Sequence, residues 1–256
     1  MAPVHVEQRA DPASLWAALA SALIGVCRAR QAEGAVPCLV LTGGSGGEGV
    51  LRALAGHARR DAVDWSRVRF LWGDERWAPA GHEDRNDKLA DDTLFAVVPT
   101  DPALVHRAPA SDAGLSLDEA AEAYAGIVAG VERIDLALNG VGPDGHVASL
   151  FPGRDDLLDA DPATPAAIPV RDSPKPPPER ISLTLPVLDG AERVWLIAAG
   201  AAKADAVRGI LAPAEPRLPA ARIHGRLETV LWADDAALAP SSPSGSAPHI
   251  PLNSPR

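Results

Sequence analysis

The chain has 256 residues, of which 46% are hydrophobic, 23% charged and 4% aromatic, a composition typical of globular proteins. Its 24 Lys and Arg residues against 34 Asp and Glu residues give a net charge of −10, which argues against a general binder of nucleic acids or anionic membranes, because both need a basic face. The two cysteines, Cys27 and Cys38, are too few for a disulfide framework, so we expect buried thiols in a reducing compartment.

The two ends of the chain carry signals about location and domain organisation. Residues 1–11 are acidic and polar where a secretory signal would be apolar, and no apolar run approaches the roughly 18 residues of a membrane span. We therefore expect a cytoplasmic protein without a membrane partner. From Leu238 on, the sequence loses hydrophobic periodicity and is rich in Pro and Ser. The predicted organisation is a single domain over residues 1–237, followed by a disordered tail over 238–256.

Helical and strand patterns alternate along the first part of the chain. Apolar residues recur at helical spacing between Ser14 and Gly34, with Ser14 as the predicted N-cap. A continuous apolar run over 36–41 then predicts a buried strand that ends in glycines. A helix is predicted over 48–60, and a second apolar run predicts a strand over 68–72.

The same alternation continues towards the end of the chain. A helix is predicted over 86–95, and Ser116-Leu-Asp-Glu119 has the spacing of a capping box at a helix start. The remaining predicted elements are strands over 134–138, 181–185, 193–199 and 230–232 and a helix over 202–211. Short apolar strands interleaved with helices indicate βαβ units. The predicted fold class is α/β: a doubly wound, mostly parallel, Rossmann-like sheet with helices on both faces.

Ligands of such sheets bind beyond the carboxyl ends of the strands, so the residues that follow each strand carry the functional signal. The first predicted strand is followed by Gly43-Gly44-Ser45-Gly46-Gly47, where close backbone N–H groups and the start of a helix favour an anion such as phosphate. No lysine of an NTP-binding loop follows. A tight strand-to-helix turn without a ligand is the alternative interpretation of this segment.

Three consecutive charged residues, Asp74-Glu75-Arg76, follow the second predicted strand, with Asn86 a little further along. The functional interpretation gives Arg76 an anionic group to hold and Asp74 a substrate hydroxyl from which to accept a hydrogen bond. Asn86 is a further candidate binding residue. A solvated surface cluster is the alternative, because charged clusters usually lie on the surface.

The third of these strands is followed by Gly142-Pro143-Asp144-Gly145-His146. An Asp two residues before a His can orient the imidazole, and histidine exchanges its proton near neutral pH, so His146 is the predicted general base and Asp144 its orienting partner. The other six histidines are scattered along the sequence and none pairs locally with His146, so no metal site is predicted.

Two further segments carry cations. A proline-rich loop contains Arg171, Lys175 and Arg180, and Lys203 stands in the first turn after a predicted strand. A lysine at a helix N-terminus is opposed by the helix dipole, which indicates an anionic ligand nearby. The alternative is an exposed, solubilising lysine.

A series of motifs in this chain resembles the 6-phosphogluconolactonase family, in the order found there. The motifs are Gly43-Gly44-Ser45, Asp74-Glu75-Arg76, GVGPDGHVASLFPG over 140–153, KPPPER over 175–180 and Gly200-Ala-Ala-Lys203. The stretch 140–153 is the most specific, since the related glucosamine-6-phosphate deaminases share only a GxDGH and continue into a Phe-Asn-Glu-Pro-like segment. The chain departs from the family at Ser45-Gly46-Gly47, where Ser-Thr-Pro is frequent, and at Arg85, where serine is frequent.

The resemblance implies hydrolysis of 6-phospho-D-glucono-1,5-lactone to 6-phospho-D-gluconate, the second step of the oxidative pentose phosphate pathway, with neither a metal nor an organic cofactor. On this interpretation His146 takes a proton from the attacking water, and Asp74 accepts a hydrogen bond from a sugar hydroxyl. Backbone N–H groups near Gly142 or a cation stabilise the oxyanion. The candidate ligands of the phosphate are Lys203, Arg171 and Arg76, together with the loop Gly43-Gly44-Ser45.

The expected partner is thus a small phosphosugar lactone, bound by a monomer or a small homo-oligomer. Two alternatives remain open at this point. A hexosamine-6-phosphate deaminase or isomerase would need a second acid for proton abstraction at C2, and a non-catalytic sugar-phosphate sensor would bind without turnover.

Overall fold

A six-stranded parallel sheet forms the centre of the computed structural model, which describes residues 3–214 and 217–240. The strands are β1 (Val4–Arg9), β2 (Cys38–Leu41), β3 (Arg69–Trp72), β4 (Asp74–Arg76), β5 (Leu136–Gly140), β6 (Ala167–Val170), β7 (Arg180–Leu183), β8 (Arg193–Ala198) and β9 (Glu228–Asp234). The helices are α1 (Pro12–Ala32), α2 (Gly44–Gly56), α3 (Asn86–Asp92), α4 (Leu117–Ala129), α5 (Leu185–Asp189), α6 (Ala204–Leu211) and α7 (Asp235–Leu238). The sheet order is β1-β9-β8-β5-β2-β3 with every pair parallel, which confirms the predicted α/β class.

Alternate residues of each central strand pack into two separate cores on the two faces of the sheet. In β2, Leu39 and Leu41 belong to the core that contains the buried residues of α1 and α2. Cys38 and Val40 belong to the other core, together with α4 and α6. Since side chains alternate between the faces of a strand, a strand covered on both faces must be apolar throughout, and this is why these segments could be recognised as short continuous apolar runs.

Helix α1 begins earlier than the sequence pattern predicts. Its N-cap is Asp11, not Ser14: the Asp11 carboxylate accepts the N–H of Ser14 at 2.8 Å, and Ser14 Oγ accepts the N–H of Asp11 at 3.3 Å. Ser14 is therefore the third residue of the helix, and it closes a capping box from inside it. Pro12 occupies the first turn, where its missing N–H costs no intrahelical hydrogen bond.

Among the described residues, α1 is long and apolar enough, by length and composition alone, to cross a membrane. This corrects the expectation that no segment approaches such a span. A helix at the core of a globular protein passes the same test. Leu15, Leu19 and Leu23 of α1 are fully buried in the core shared with β2 and β3, so the contacts of this face are those of a core helix.

Other helix boundaries also differ from the prediction. Helix α2 begins at Gly44 and ends at Gly56, so the glycine segment is the first turn of the helix and not a loop before it. Helix α3 ends at Asp92. The predicted capping box of α4 is confirmed, since Ser116 Oγ accepts the N–H of Glu119 and the Glu119 carboxylate accepts the N–H of Ser116.

Two features of the strand architecture were not predicted. Strand β1 pairs in parallel with β9 at the edge of the main sheet, and its half-exposed, partly polar residues lack the apolar run of a central strand. A second, antiparallel sheet has the order β4-β7-β6. The segment predicted as a strand over 181–185 is β7 in this smaller sheet, and β6 was missed because it contains Pro169, a residue that sheets tolerate at an edge.

The C-terminal prediction is tested only at its start. Leu238, where the tail was expected to begin, is the last residue of α7. Residues 241–256 lie outside the described residues, so the disordered tail and the single domain over 1–237 stay predictions.

Candidate active site

A cavity of about 260 Å³ lies beyond the carboxyl ends of β2, β5 and β8 and next to β4, as expected for an open α/β sheet. Most of its lining comes from the segments that follow the strands. The residues that line it are Trp16, Thr42, Gly43, Gly44, Ser45, Gly46, Asp74, Arg76, Gly140, Val141, Gly142, His146, Ala148, Lys175, Pro176, Arg180, Ile197, Ala199 and Lys203. A concave site with several converging polar groups is suited to a small polar molecule.

His146 faces this cavity with its orientation fixed by Asp144. Its Nδ1 lies 2.5 Å from Oδ1 of Asp144, and its ring lies 4.9 Å from the ring of Phe151. An ionised carboxylate can only accept a hydrogen bond, so we assign the proton to Nδ1. This tautomer leaves the lone pair on Nε2, as a general base requires.

The charge states of this pair suit a base. Burial lowers the pKa of His146, and repulsion by Lys175 acts in the same direction, while the hydrogen bond and charge of Asp144 oppose it. Burial acts to raise the pKa of Asp144, but its hydrogen bond with His146 and the positive charge of Lys175 outweigh burial and leave the pKa lowered. The imidazole is therefore neutral and the carboxylate ionised near neutral pH.

Gly142 makes room for this pair. A Cβ at this position would lie 2.0 Å from Nδ1 of His146 and 2.5 Å from Oδ1 of Asp144. Its N–H donates to the carbonyl oxygen of His146 at 2.9 Å. The N–H of Gly142 itself is thus engaged within the turn. That a neighbouring backbone N–H group or a cation meets the oxyanion stays a prediction.

Asp74 lines the cavity as a buried carboxylate, 6% exposed, that neighbouring side chains hold in place. Ser149 Oγ donates to Oδ2 at 2.6 Å, and Arg180 Nη1 lies 3.6 Å from the same oxygen. Asn86 Nδ2 donates to the Asp74 carbonyl oxygen at 2.8 Å and lies 3.3 Å from Oδ1. Ser149 was missed as a site residue, although it stands inside the motif around His146, because its partner is 75 positions away in the sequence.

The glycine segment contributes the N-terminus of α2. Gly43, Gly44 and Ser45 line the cavity, and the first turn of an α-helix leaves N–H groups without intrahelical acceptors. Asn86, in contrast, lies behind this wall: a Cβ at Gly43 would be only 1.7 Å from Asn86 Oδ1. The structure therefore brings Asn86 to the glycine segment and to Asp74, but not into the cavity lining.

Four cations converge on the cavity although the chain as a whole has a net charge of −10. They are Arg76, Lys175, Arg180 and Lys203, and Asp74 is the one acidic residue among the described lining residues. Burial lowers the pKa of Lys203, and repulsion by Lys175 lowers it further. Arg76 Nε is buried and has no hydrogen-bond partner in the described part of the chain. Such a cluster is suited to an anionic ligand.

Arg171, predicted as a phosphate ligand, does not line this cavity. Its side chain is half exposed and pairs with Asp118 at 2.5 Å. The reason lies in the second sheet: Arg180 stands opposite Arg76 in the β4–β7 ladder, whereas Arg171 follows β6 on the far side of β7. The loop between them does supply cations to the site, but they are Lys175 and Arg180. Of the three cations that the sequence offered in this loop, the structure places Lys175 and Arg180 in the cavity lining and Arg171 outside it.

Comparison with known proteins places the chain in a family. The family model described as glucosamine-6-phosphate isomerases/6-phosphogluconolactonase matches residues 10–232. The chain belongs to this family. The 6-phosphogluconolactonase of Streptomyces coelicolor is 46% identical over 85% of this chain and 87% of its own length, and that of Mycobacterium leprae is 42% identical over 80% and 85%. A crystal structure of 6-phosphogluconolactonase from Thermotoga maritima superposes with a TM-score of 0.79 at 25% identity, covering 91% of this chain and all of the other.

Proposed function

We propose that the protein hydrolyses 6-phospho-D-glucono-1,5-lactone to 6-phospho-D-gluconate, with His146 as the general base. The observation that carries the proposal is His146, oriented by Asp144, in a cavity lined by four cations. The relatives named 6-phosphogluconolactonase, at up to 46% identity over most of the chain, support this activity. A cytoplasmic location and a monomer or small homo-oligomer stay predictions.

In the proposed reaction His146 acts on the attacking water. Nε2 takes a proton from water while the water oxygen forms a bond to C1 of the lactone, and the carbonyl oxygen becomes an oxyanion. Collapse of this intermediate breaks the bond between C1 and the ring oxygen, and the imidazolium returns its proton to that oxygen. Asp144 is a positioning residue, because it holds the imidazole tautomer and stabilises the imidazolium without contacting the substrate.

The remaining lining residues divide between the sugar and the phosphate. Asp74 is placed to accept a hydrogen bond from a sugar hydroxyl, since its carboxylate faces the cavity while Ser149 fixes its orientation. The N-terminus of α2 and Lys203 are the proposed phosphate ligands, with Arg76 as a further candidate. Arg180 and Lys175 replace Arg171 in the cationic lining, and a cation from this set is the proposed partner of the oxyanion.

Hydrolysis of the lactone by the purified protein tests the proposal directly. We expect release of 6-phosphogluconate well above the spontaneous opening of the lactone, measured beside a buffer blank at the same pH. Release of ammonia from glucosamine 6-phosphate, without lactone hydrolysis, would instead identify a deaminase. Saturable binding of the lactone with no turnover would identify a sensor.

The pH profile tests the pairing of His146 with Asp144. We expect kcat/KM to rise with pH through a pKa below the ordinary histidine value, because His146 must be neutral and its burial lowers its pKa. In Asp144→Asn the charge that favours the imidazolium is lost, so the rising limb should move to lower pH. The plateau should fall at least about tenfold, because the amide no longer enforces the productive tautomer.

The measurement is kcat/KM at closely spaced pH values on the acid side of neutrality, with spontaneous opening subtracted at each value. Asp118→Asn is a matched control, since Asp118 is an exposed carboxylate that pairs with Arg171 away from the cavity. An Asp144→Asn profile that superposes on the wild-type profile would remove Asp144 from the mechanism.

A further inference from the structure

Glu75 lies between two cavity-lining residues but points away from the cavity. Alternation along β4 directs Asp74 and Arg76 to the site, and the Glu75 side chain, only 2% exposed, goes into the protein interior. There its Oε1 accepts the N–H of Arg76 at 2.8 Å and of Asn86 at 2.7 Å, and its Oε2 accepts the N–H of Asp87 at 2.9 Å. One buried carboxylate thus ties the strand to the first turn of α3.

A buried guanidinium accompanies this carboxylate. Arg85, whose side chain is 1% exposed, donates through Nε and Nη2 to the two carboxylate oxygens of Asp87 at 2.9 and 2.8 Å. It also donates to the carbonyl oxygen of Ala108 at 2.9 Å, and Nη2 lies 3.8 Å from Oε2 of Glu75. A buried ion network of this kind is costly to interrupt, since removing one member leaves another charge uncompensated.

This network reaches the cavity through Asn86. The backbone of Asn86 is held by Glu75, and its side chain donates to the Asp74 carbonyl oxygen while packing against Gly43 so closely that no Cβ would fit there. A second link runs through Arg76, whose Nη1 donates to the carbonyl oxygen of Asp84 at 2.7 Å. Hydrogen bonds within the segment from Asp74 to Asp87 therefore hold its two ends together, with the Glu75 carboxylate at their centre.

We propose that Glu75 is a positioning residue: through Asn86 and the backbone of Arg76 it sets the placement of Asp74 and Arg76 in the cavity, and Arg85 and Asp87 hold its carboxylate in place. The role of these two cavity residues rests on the proposed function. Glu75 itself does not contact the substrate. In this chain Arg85 has a structural role in the same network, where it helps to hold the Glu75 carboxylate in place.

The main experiment is a double-mutant cycle between Glu75→Gln and Asp74→Ala. Glu75→Gln keeps the shape of the side chain but places an amide donor where Oε2 now accepts an N–H, and we expect kcat/KM for the phospholactone to fall about tenfold. In the Asp74→Ala background the same change should cost less than about threefold, because only the effect through Arg76 remains. Multiplicative losses in the double variant would overturn the proposal.

Two further variants separate positioning from general destabilisation. Asp135 is a buried carboxylate that pairs with Arg30 and Arg133 and binds the N–H of Cys38 at the opposite end of the strands. Asp135→Asn should lower Tm without lowering kcat/KM. Asn86→Ala keeps every backbone N–H that donates to Glu75, so it should keep the wild-type Tm within a few degrees yet reproduce the loss in kcat/KM. It decides the question if Glu75→Gln does not fold, and an unchanged kcat/KM in Asn86→Ala contradicts the proposal.

Amide hydrogen exchange keeps this test independent of the proposed reaction. Glu75→Gln should increase exchange in peptides that span residues 74–87, and should leave those that span α4 unchanged. Wild-type protein that fails to hydrolyse the lactone, but shows this local change in the variant, would overturn the proposed function and not the positioning role. Unchanged exchange across 74–87 would overturn the positioning role alone.

Discussion

Replacing His146 by alanine is expected to lower kcat for the phospholactone by about 10²–10⁴-fold, with little change in KM. A general base acts mainly in the transition state, when the proton of the attacking water is transferred. In the proposed mechanism other residues hold the phosphate and the sugar, so ground-state binding should persist. The measurement is steady-state kinetics of the purified variant, corrected for spontaneous opening of the lactone.

A second histidine provides the matched control. His224 has a carboxylate neighbour, with Nδ1 3.8 Å from Oδ1 of Asp189, and it does not line the cavity. His224→Ala should keep kcat within about twofold of wild type, since it removes a histidine with a carboxylate neighbour outside the cavity. If His146→Ala retained more than about a third of the wild-type kcat, the general-base assignment would be wrong.

The main sheet could be predicted because its strands are buried on both faces. Segments such as β2 and β3 are four-residue strands with almost wholly buried side chains, and a parallel arrangement makes them apolar without interruption. Parallel strands place their carboxyl ends at one edge of the sheet, so the sequence alone predicts that Gly43, Asp74 and His146 share one candidate site. The pairing of Asp144 with His146 was equally accessible, because the two residues are close in sequence.

Contacts that depend on pairing between distant segments could not be predicted. The choice between Arg171 and Arg180 depends on the register of β4 with β7 and on β6 lying beyond them, and neither is visible in the loop sequence. The hydrogen bond from Ser149 to Asp74 depends on the same non-local packing. These groups were recognisable as polar residues, but their partners are set by tertiary structure.

The glycine segment illustrates an ambiguity that local sequence leaves open. Its two interpretations, a phosphate cradle and a tight turn, predict the same residues. The structure makes Gly44 the first residue of α2 and packs Gly43 against Asn86, so backbone geometry accounts for part of the glycine content without any ligand. The four cations around the cavity, which come from distant segments, are what favour an anion there.

The second large effect concerns Lys203. A charge-assisted contact to an anion contributes about 1.5–3 kcal/mol, so Lys203→Met should lower kcat/KM for the phosphorylated lactone by roughly 10–150-fold. Methionine keeps much of the apolar stem of this half-buried side chain, which limits the loss of packing. Inorganic phosphate should also become a weaker competitive inhibitor in this variant.

Unphosphorylated glucono-1,5-lactone separates loss of phosphate binding from damage to the chemistry. Lys203→Met should change kcat/KM for this substrate by less than about threefold, because the anionic partner is absent. Arg171→Ala is the matched cation control: the structure pairs Arg171 with Asp118 outside the cavity, so this variant should hydrolyse both lactones at nearly the wild-type rate.

The ratio of kcat/KM values for the two lactones carries the result, since a disturbed fold or a displaced His146 would depress both values together. A specific fall for the phosphorylated lactone in Lys203→Met, with Arg171→Ala unchanged, assigns a phosphate contact to Lys203. Parallel losses for both lactones in Lys203→Met would remove Lys203 from the phosphate site. A specific loss in Arg171→Ala would instead require the 171–180 loop to close over the cavity when the substrate binds.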